Sequence, residues 1–452
     1  MSLWKYHKIP LLYITLSLLF YAIFAYGLER TDSTKLLSLY FALFVLAYQL
    51  LKTTGFNFKQ LVVVSILFRL IFLFAIPNLS QDFYRFIWDG QMILEGISPY
   101  LHLPKTFFEQ GEFPIAQGLE LYKGMGDLSA SNYTNYPPIN QLCFVIAGLL
   151  SGKSILGSVI VMRLMIIGAD IGILYFGKKL LEAFKLPTSR IFWYALNPFI
   201  IIELTGNLHF EGLMILFLLW SLYLLHKGKW EWSALLMGCS IATKLIPLML
   251  LPLVFWWFIK KLNLGKLLLF YIIAGVTVVL TYAPFFSMQF ITNYSESIGL
   301  WFGNFEFNAS IYYLAREIGY WITGYNEIAI ISKALSVLTF MSVLGLAFFR
   351  RNDTSQEIIT SMLLALSLYF ILSTTVHPWY LASLVLLCVF TKYKFPLVWS
   401  VVVVLTYLTY SNIDFKENLW FVGLEYVIVF LAVLYDVLSK KRMPVSQQSS
   451  PL

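Results

Sequence analysis

Charged residues are scarce in this sequence. Only 12% of its 452 residues are Asp, Glu, Lys or Arg, while 59% are hydrophobic and the mean hydropathy is +0.75. Soluble domains carry about 25% charged residues, since charged side chains cover much of a surface that faces water. A chain of this length with half the usual charge cannot cover the surfaces of several soluble domains. The high hydrophobic content also excludes a disordered chain.

Cysteine is scarce as well. The chain has three cysteines, Cys143, Cys239 and Cys388, all inside apolar runs and without a CxxC pair. A disulfide scaffold or a zinc site is therefore not expected. The net charge of +8 would fit a nucleic-acid partner. In a membrane protein, however, surplus Lys and Arg normally lie on cytoplasmic loops, so no nucleic-acid partner is predicted.

What the chain has in abundance is long apolar runs rich in Leu, Ile and Phe. They do not alternate between polar and apolar residues, as strands of a membrane barrel do. We predict an all-α polytopic membrane protein with about 14 transmembrane helices. The run from Ile9 to Leu28 is predicted to be a retained first span. The run Ile139–Leu150 is too short to cross a bilayer and is predicted to be an interfacial or re-entrant helix.

The positions of Lys and Arg predict the orientation. With the N-terminus inside, 20 of the 32 basic residues fall on inner loops, 9 on outer loops and 3 within spans. This bias towards the inner side predicts that both termini are cytoplasmic. The long acidic loop 80–153 then lies outside, where most of the polar chemistry is expected.

Some ionisable residues within apolar runs need partners, because an unpaired charge in a bilayer is costly. Among them are Arg69, Arg163 and Asp170. Arg163 and Asp170 are seven residues apart on one face of the same predicted helix. We predict a structural ion pair between these two.

Candidate catalytic residues follow the third apolar run. Asp82 and Asp89 share one face of a predicted helix, with Arg85 about one turn from each. Trp88 and Tyr100 are aromatic residues of the kind found at membrane interfaces. Partial desolvation at such a boundary raises the pKa of a carboxylate towards that of a useful general base. The residues alone leave an aromatic belt with a solvated charge cluster as an equal alternative.

The segment from Asp82 reads D-x-Y-R-F-x-W-D-G and is followed by G-x-S-P-Y. It closely resembles the first outer loop of GT-C glycosyltransferases, and the bacterial mannosyltransferase-like subgroup is the most similar. These polytopic enzymes use sugars linked to a polyprenyl phosphate. The resemblance covers about residues 60–391 through further motifs: Tyr136-Pro137-Pro138, Asn197-Pro198, Glu203–Gly212, Ala242–Pro247, Phe307–Ser310 and His377–Tyr380.

The resemblance implies a GT-C-like bundle with an extracytoplasmic catalytic loop in a bacterial plasma membrane. It implies inverting transfer of a hexose, expected to be mannose, from a polyprenyl-phosphate donor to a glycan or glycolipid acceptor. Asp82 would be the general base, and Lys244, His377 and Arg85 would contact the donor phosphate. Residues expected to bind the sugar or the acceptor are Asp89, Glu203, His209, Glu211, Tyr100 and Trp379. No cofactor and no obligatory metal are expected.

Several of these roles have a structural alternative. Arg85 could instead pair with Asp82 or Asp89, and Lys244 could be a lysine that reaches the interface from a helix end. His209 could belong to a turn network. At the level of the whole protein, the alternative is a transporter or flippase for lipid-linked saccharides, which predicts inverted repeats and polar residues at the bilayer midplane.

Four regions are predicted along the chain. Residues 1–58 hold two N-terminal transmembrane helices whose role the resemblance leaves open. Residues 59–391 form the catalytic membrane core with its outer loop 80–153. Residues 392–440 add C-terminal transmembrane helices, and residues 441–452 are expected to be a disordered cytoplasmic tail.

Overall fold

The computed structural model describes residues 8–53, 55–303, 305–411 and 416–442, and the regular secondary structure of these residues is helical apart from one isolated β-bridge. Most of the predicted tail lies outside the described residues. The α-helices of the N-terminal half are Lys8–Gly27, Ser33–Lys52, Phe58–Leu70, Asp82–Leu94, Pro104–Gln110, Gly118–Ala130, Pro138–Leu150, Ile155–Ala183, Phe192–Ala195, Pro198–Ile200 and Glu211–His226. Those of the C-terminal half are Trp230–Thr243, Phe255–Lys261, Leu264–Tyr282, Met288–Gly303, Ile311–Thr323, Ile328–Phe348, Ser355–Leu372, Ala382–Cys388, Phe395–Val402 and Leu419–Arg442.

Seven of the described helices are long and apolar enough to cross a membrane, and a bent pair would make an eighth. The prediction of an all-α polytopic membrane protein is confirmed, while the count of 14 spans stays a prediction. The short run predicted at Ile139–Leu150 forms the 13-residue helix Pro138–Leu150. Two other short apolar segments, Pro378–Cys388 and Phe395–Ser411, are also below spanning length.

The bent pair brings polar side chains to the end of an apolar helix. Pro198–Gly206 and Glu211–His226 meet at an angle of 114°. The first member ends in a π-helical turn, Ile201–Gly206, and Leu208 in the break has a positive φ of 63°. Positive φ strains a branched side chain, so the surrounding contacts must hold this turn. The break places Glu211 at the start of a buried helix.

Arg163 stabilises this break rather than pairing with Asp170. Its guanidinium donates four hydrogen bonds of 2.7–3.1 Å to the backbone carbonyls of Leu73, Ala75, Thr205 and Gly206. These carbonyls lie where helical segments end and lack intrahelical donors. One arginine therefore joins the ends of two helical segments.

The predicted pair between Arg163 and Asp170 is wrong. Asp170 accepts from Arg69 Nε at 2.6 Å and from the Tyr194 hydroxyl at 3.2 Å. Arg69 also donates to the Ala195 carbonyl at 2.7 Å. Residues seven apart on a helix are separated by about 10 Å along its axis, so two side chains on other segments were nearer partners.

The predicted outer loop, residues 80–153, is built on close packing between Asp82–Leu94 and Pro138–Leu150. Phe86 stacks on Phe144 with ring centroids 4.6 Å apart. A Cβ at Gly90 would lie 2.3 Å from the Phe144 carbonyl oxygen, so only glycine permits this approach. The crossing fixes the first helix with its N-terminus, and therefore Asp82, at the edge of a cavity.

Candidate active site

A cavity of about 510 Å³ lies between the outer loop and the ends of the membrane helices. The outer loop contributes Asp82, Arg85 and Tyr136 to its wall. Lys244 enters from the end of Trp230–Thr243, and a third wall comes from the segment around His377. The cavity therefore joins regions that are almost 300 residues apart in sequence.

Asp82 begins its helix and faces this cavity. Its backbone N–H donates to the Ser80 hydroxyl at 3.3 Å. The Tyr136 hydroxyl lies within hydrogen-bonding range of the carboxylate. Burial raises the pKa of the Asp82 carboxyl; the positive charge of Lys244 opposes this shift, and the negative charge of Glu211 adds to it. A carboxylate with a raised pKa is a better general base than an ordinary exposed aspartate.

Lys244 brings a positive charge to the cavity wall. Its Nζ lies 2.9 Å from Glu211 Oε1 and 5.4 Å from the centroid of the Tyr136 ring. Glu211 is fully buried, whereas the Lys244 side chain keeps 18% of its exposure. The buried glutamate therefore holds the ammonium, and the Lys244 side chain lines the cavity.

Arg85 pairs with Asp89, one of the two carboxylates that its sequence position allowed. Arg85 Nε lies 2.7 Å from Asp89 Oδ1, and Gln141 donates to the other oxygen at 3.0 Å. Arg85 Nη1 also donates to the carbonyls of Ser129 and Asn132. The arginine lines the cavity but also holds the turn that ends Gly118–Ala130, while Asp89 lies fully buried behind it.

Two histidines stack on one indole beside the cavity. The Trp379 ring centroid lies 3.7 Å from that of His209 and 4.7 Å from that of His377. Burial, together with the charge of Lys244, lowers the pKa of His377 to about 3. His377 is therefore neutral near pH 7 and would contact a phosphate as a single N–H donor rather than as a cation. Behind His209, Glu203 accepts from the Tyr407 hydroxyl at 2.8 Å.

The structure divides the predicted site residues into two groups. Lining the cavity are Asp82, Arg85, Lys244, His377 and Trp379. Packed behind the wall are Asp89, Glu203, His209, Glu211 and Tyr100. Tyr100, for example, donates to the Tyr136 carbonyl at 2.7 Å and so supports a residue that touches Asp82. Among the described residues no three His, Cys, Asp or Glu side chains are grouped as metal ligands.

Arg30 is a cavity residue that the sequence did not identify. It lies between the first two helices, and its guanidinium carbon is 3.2 Å from the centroid of the Tyr410 ring. It lines the cavity, and its charge acts on Asp82. The positive charge on a predicted outer turn was the available signal, but its neighbours lie 50 to 380 residues away in sequence.

A second cavity of about 430 Å³ continues from the first. The two share four wall residues: Leu245, Ile246, Tyr369 and Ser373. The second runs between the 3-10 helix Ile246–Val254 and the helix Ile328–Phe348, and its wall is mainly apolar. Ser332, Ser336 and Thr339 place small side chains along one side. The first cavity, which holds the charged side chains, is thus joined to an apolar groove.

The first part of the chain is similar to known mannosyltransferases. Residues 15–260 match the family described as alpha-(1->6)-mannopyranosyltransferase, N-terminal domain. Over 192 residues the chain is 20% identical to alpha-(1->6)-mannopyranosyltransferase A of Mycobacterium tuberculosis. The aligned residues make up 42% of this chain. The chain spans about a third (35%) of the length of that curated relative. The family match includes Asp82 and Lys244 but ends before His377.

Proposed function

The chain belongs to the family of alpha-(1->6)-mannopyranosyltransferases, and we propose that it transfers a mannosyl residue from a polyprenyl-phosphate donor to a glycan or glycolipid acceptor. The membership confirms the resemblance to bacterial mannosyltransferases. The observation that carries the proposal is the position of Asp82. Its carboxylate faces the cavity in the electrostatic field of Lys244 and Arg30. A base and cations are what this reaction needs.

In the proposed reaction the acceptor hydroxyl oxygen attacks the anomeric carbon of the donor. The bond from that carbon to the phosphate oxygen breaks, and its electron pair leaves with the phosphate. Asp82 takes the proton of the hydroxyl. General-base catalysis of this kind accelerates a reaction roughly 10²–10⁴-fold. A single displacement inverts the anomeric carbon, since no covalent intermediate forms on the protein.

Lys244 is proposed to bind the leaving phosphate. The ammonium is held by Glu211 yet still faces the cavity, so a phosphate can approach it without first breaking the buried pair. Arg85 and the neutral His377 are proposed to add hydrogen bonds to the same group. Trp379 is proposed to contact the sugar at the cavity wall. The buried members of the predicted set, Asp89, Glu203, His209, Glu211 and Tyr100, are proposed to position these side chains from behind.

The apolar groove supports a lipid-linked donor. A phosphate bound at Lys244 would lie close to the wall that the two cavities share, because Leu245 and Ile246 follow it directly in the chain. An isoprenoid chain attached to that phosphate would enter the groove beside Ile328–Phe348. A water-soluble nucleotide-sugar donor has no apolar chain that could occupy such a groove.

The cavity is proposed to open on the extracytoplasmic face of a bacterial plasma membrane, with both termini cytoplasmic. The distribution of Lys and Arg supports this orientation. In intact cells, Asp127→Cys in the outer loop should react with a membrane-impermeant maleimide. Lys179→Cys, on the predicted inner side, should react only after the cells are permeabilised. The reverse pattern would contradict the proposed orientation.

Asp82→Asn tests the chemistry. The variant should retain its folding and insertion while transfer from radiolabelled polyprenyl-phosphate mannose falls by roughly 10²–10⁴-fold. Asp127→Asn is the matched control, because Asp127 is an exposed aspartate of the same loop outside the cavity wall. Full transfer by Asp82→Asn would remove this residue as the base. Translocation of an intact lipid-linked saccharide without transfer would support the transporter alternative.

A further inference from the structure

The helix Ile311–Thr323 leaves a complete apolar face uncovered. Leu314, Ile318, Trp321 and Ile322 are all exposed, Trp321 by 84% and Ile322 by 77%. Their spacing places them on one stripe of about 100° along the helix. Large apolar side chains grouped in this way mark a surface that contacts something other than water.

The opposite face of this helix is fixed to the protein. Tyr312 donates to Glu306 Oε1 at 2.6 Å, and Arg316 donates to Glu306 Oε2 at 2.6 Å. The Tyr313 hydroxyl donates to Glu417. These bonds determine the rotation of the helix about its axis, so the apolar stripe points away from the rest of the chain.

The length and position of the helix indicate which partner covers the stripe. Its 13 residues extend about 20 Å, whereas the apolar core of a bilayer is about 30 Å thick, so it cannot span. Gly324 ends it, and the membrane-span candidate Ile328–Phe348 begins four residues later. The helix that carries the stripe therefore ends four residues before the N-terminal end of a candidate span. Trp and Tyr are enriched at this level of the bilayer.

We propose that Ile311–Thr323 is an interfacial helix, whose apolar stripe is buried among the lipid headgroups and upper acyl chains. Amphipathic helices with this division of faces lie in the plane of the membrane surface. The same lipid contact would exist whatever reaction takes place in the cavity.

The interfacial helix also anchors one wall of the cavity. Immediately before it, Phe307 and Thr375 form an isolated β-bridge, with bonds of 3.1 Å from Phe307 N–H to the Thr374 carbonyl and 2.8 Å from Val376 N–H to the Phe307 carbonyl. The bridge holds the Phe307 ring 5.1 Å from that of His377. The lipid contact therefore fixes the height of this wall relative to the membrane surface.

Spin-label accessibility in vesicles of phosphatidylcholine and phosphatidylglycerol tests the proposal. Ile318→Cys and Ile322→Cys place labels on the stripe, and Thr323→Cys places a control label on an exposed position that faces away from Leu314. Each is made in full-length protein with its three native cysteines replaced by alanine. Labels on the stripe should collide several-fold more with oxygen than with a water-soluble nickel chelate, and the control label should show the reverse.

Two results would overturn the proposal. Nickel collisions at 318 and 322 equal to those at 323 would place the stripe in water. Labels shielded from both reagents would indicate a protein partner. If the cysteine-free protein fails to fold, the native protein and Trp321→Phe can be compared instead. The difference in emission between the two proteins reports the fluorescence of Trp321. Lipids brominated near the headgroup should quench this fluorescence. Unchanged fluorescence would contradict the proposal.

Discussion

Asp82, Lys244 and Glu211 carry charges of alternating sign, and the charges of Lys244 and Glu211 shift the pKa of Asp82 in opposite directions. Glu211 pairs with Lys244 at 2.9 Å, and both charges act on Asp82. The sequence motifs contain all three residues, so their presence in one site could be predicted. Which of them would be buried could not, because Glu211 and Lys244 lie on different helices and meet only through the bend at 206–211.

The proposed role of Asp82 as the general base predicts how transfer depends on pH. A general base acts only when it is ionised, so activity should rise with pH through a midpoint above the ordinary range for aspartate. Glu211→Gln removes a negative charge that raises this pKa. We therefore expect the acidic limb of the kcat/KM profile to move to lower pH in this variant, even if its maximum rate falls.

Rate–pH profiles of the two proteins check this prediction. Glu120→Gln is a suitable control, because Glu120 is an exposed outer-loop carboxylate that should leave the profile unchanged. An acidic limb that stays in place, or moves to higher pH, in Glu211→Gln would show that another group controls the midpoint.

At the scale of helices, the broken segments around the cavity depend on buried guanidinium groups. A helix that ends within an apolar bundle leaves carbonyls that water cannot reach. Arg163 satisfies four of them, and Arg69 satisfies one while neutralising Asp170. The sequence showed that these charges needed partners. It could not show that the partners of Arg163 are backbone atoms, since carbonyls carry no sequence signal.

Arg163→Met should destabilise the protein and reduce transfer together. Each buried acceptor left without a donor costs about 1–3 kcal/mol, so the loss of this side chain should lower the midpoint of thermal unfolding in detergent clearly. Lys179→Met is the control, since it removes an exposed cation from the same helix. Equal unfolding midpoints for the two variants would mean that the four hydrogen bonds contribute little to stability.

At the scale of the whole molecule, the sequence predicted the class of fold and the family better than the arrangement of the parts. Long apolar runs, set by the thickness of a bilayer, identified the polytopic class. In short and bent segments such as Pro198–Gly206, length and hydropathy alone do not distinguish a half-span from a re-entrant turn. Arg30 was not predicted for a similar reason. It lies between the first two helices and lines the cavity, but the motifs that identified the cavity begin about 50 residues later in the sequence.

The connection between the cavity that holds Asp82 and the apolar groove leads to a prediction about the donor. Ser336→Trp would fill the groove where the donor's lipid chain is proposed to lie. Because a lost apolar contact of about 1.4 kcal/mol corresponds to a tenfold weaker affinity, KM for a long-chain donor should rise by about tenfold or more. KM for a donor with a short isoprenoid chain should change little, since that chain ends before the tryptophan. Val337→Trp, next in sequence but 62% exposed on the outside of the same helix, should affect neither donor. Equal changes for both donors in Ser336→Trp would place the lipid chain elsewhere, whereas the selective loss would tie the groove to the length of the donor that the cavity accepts.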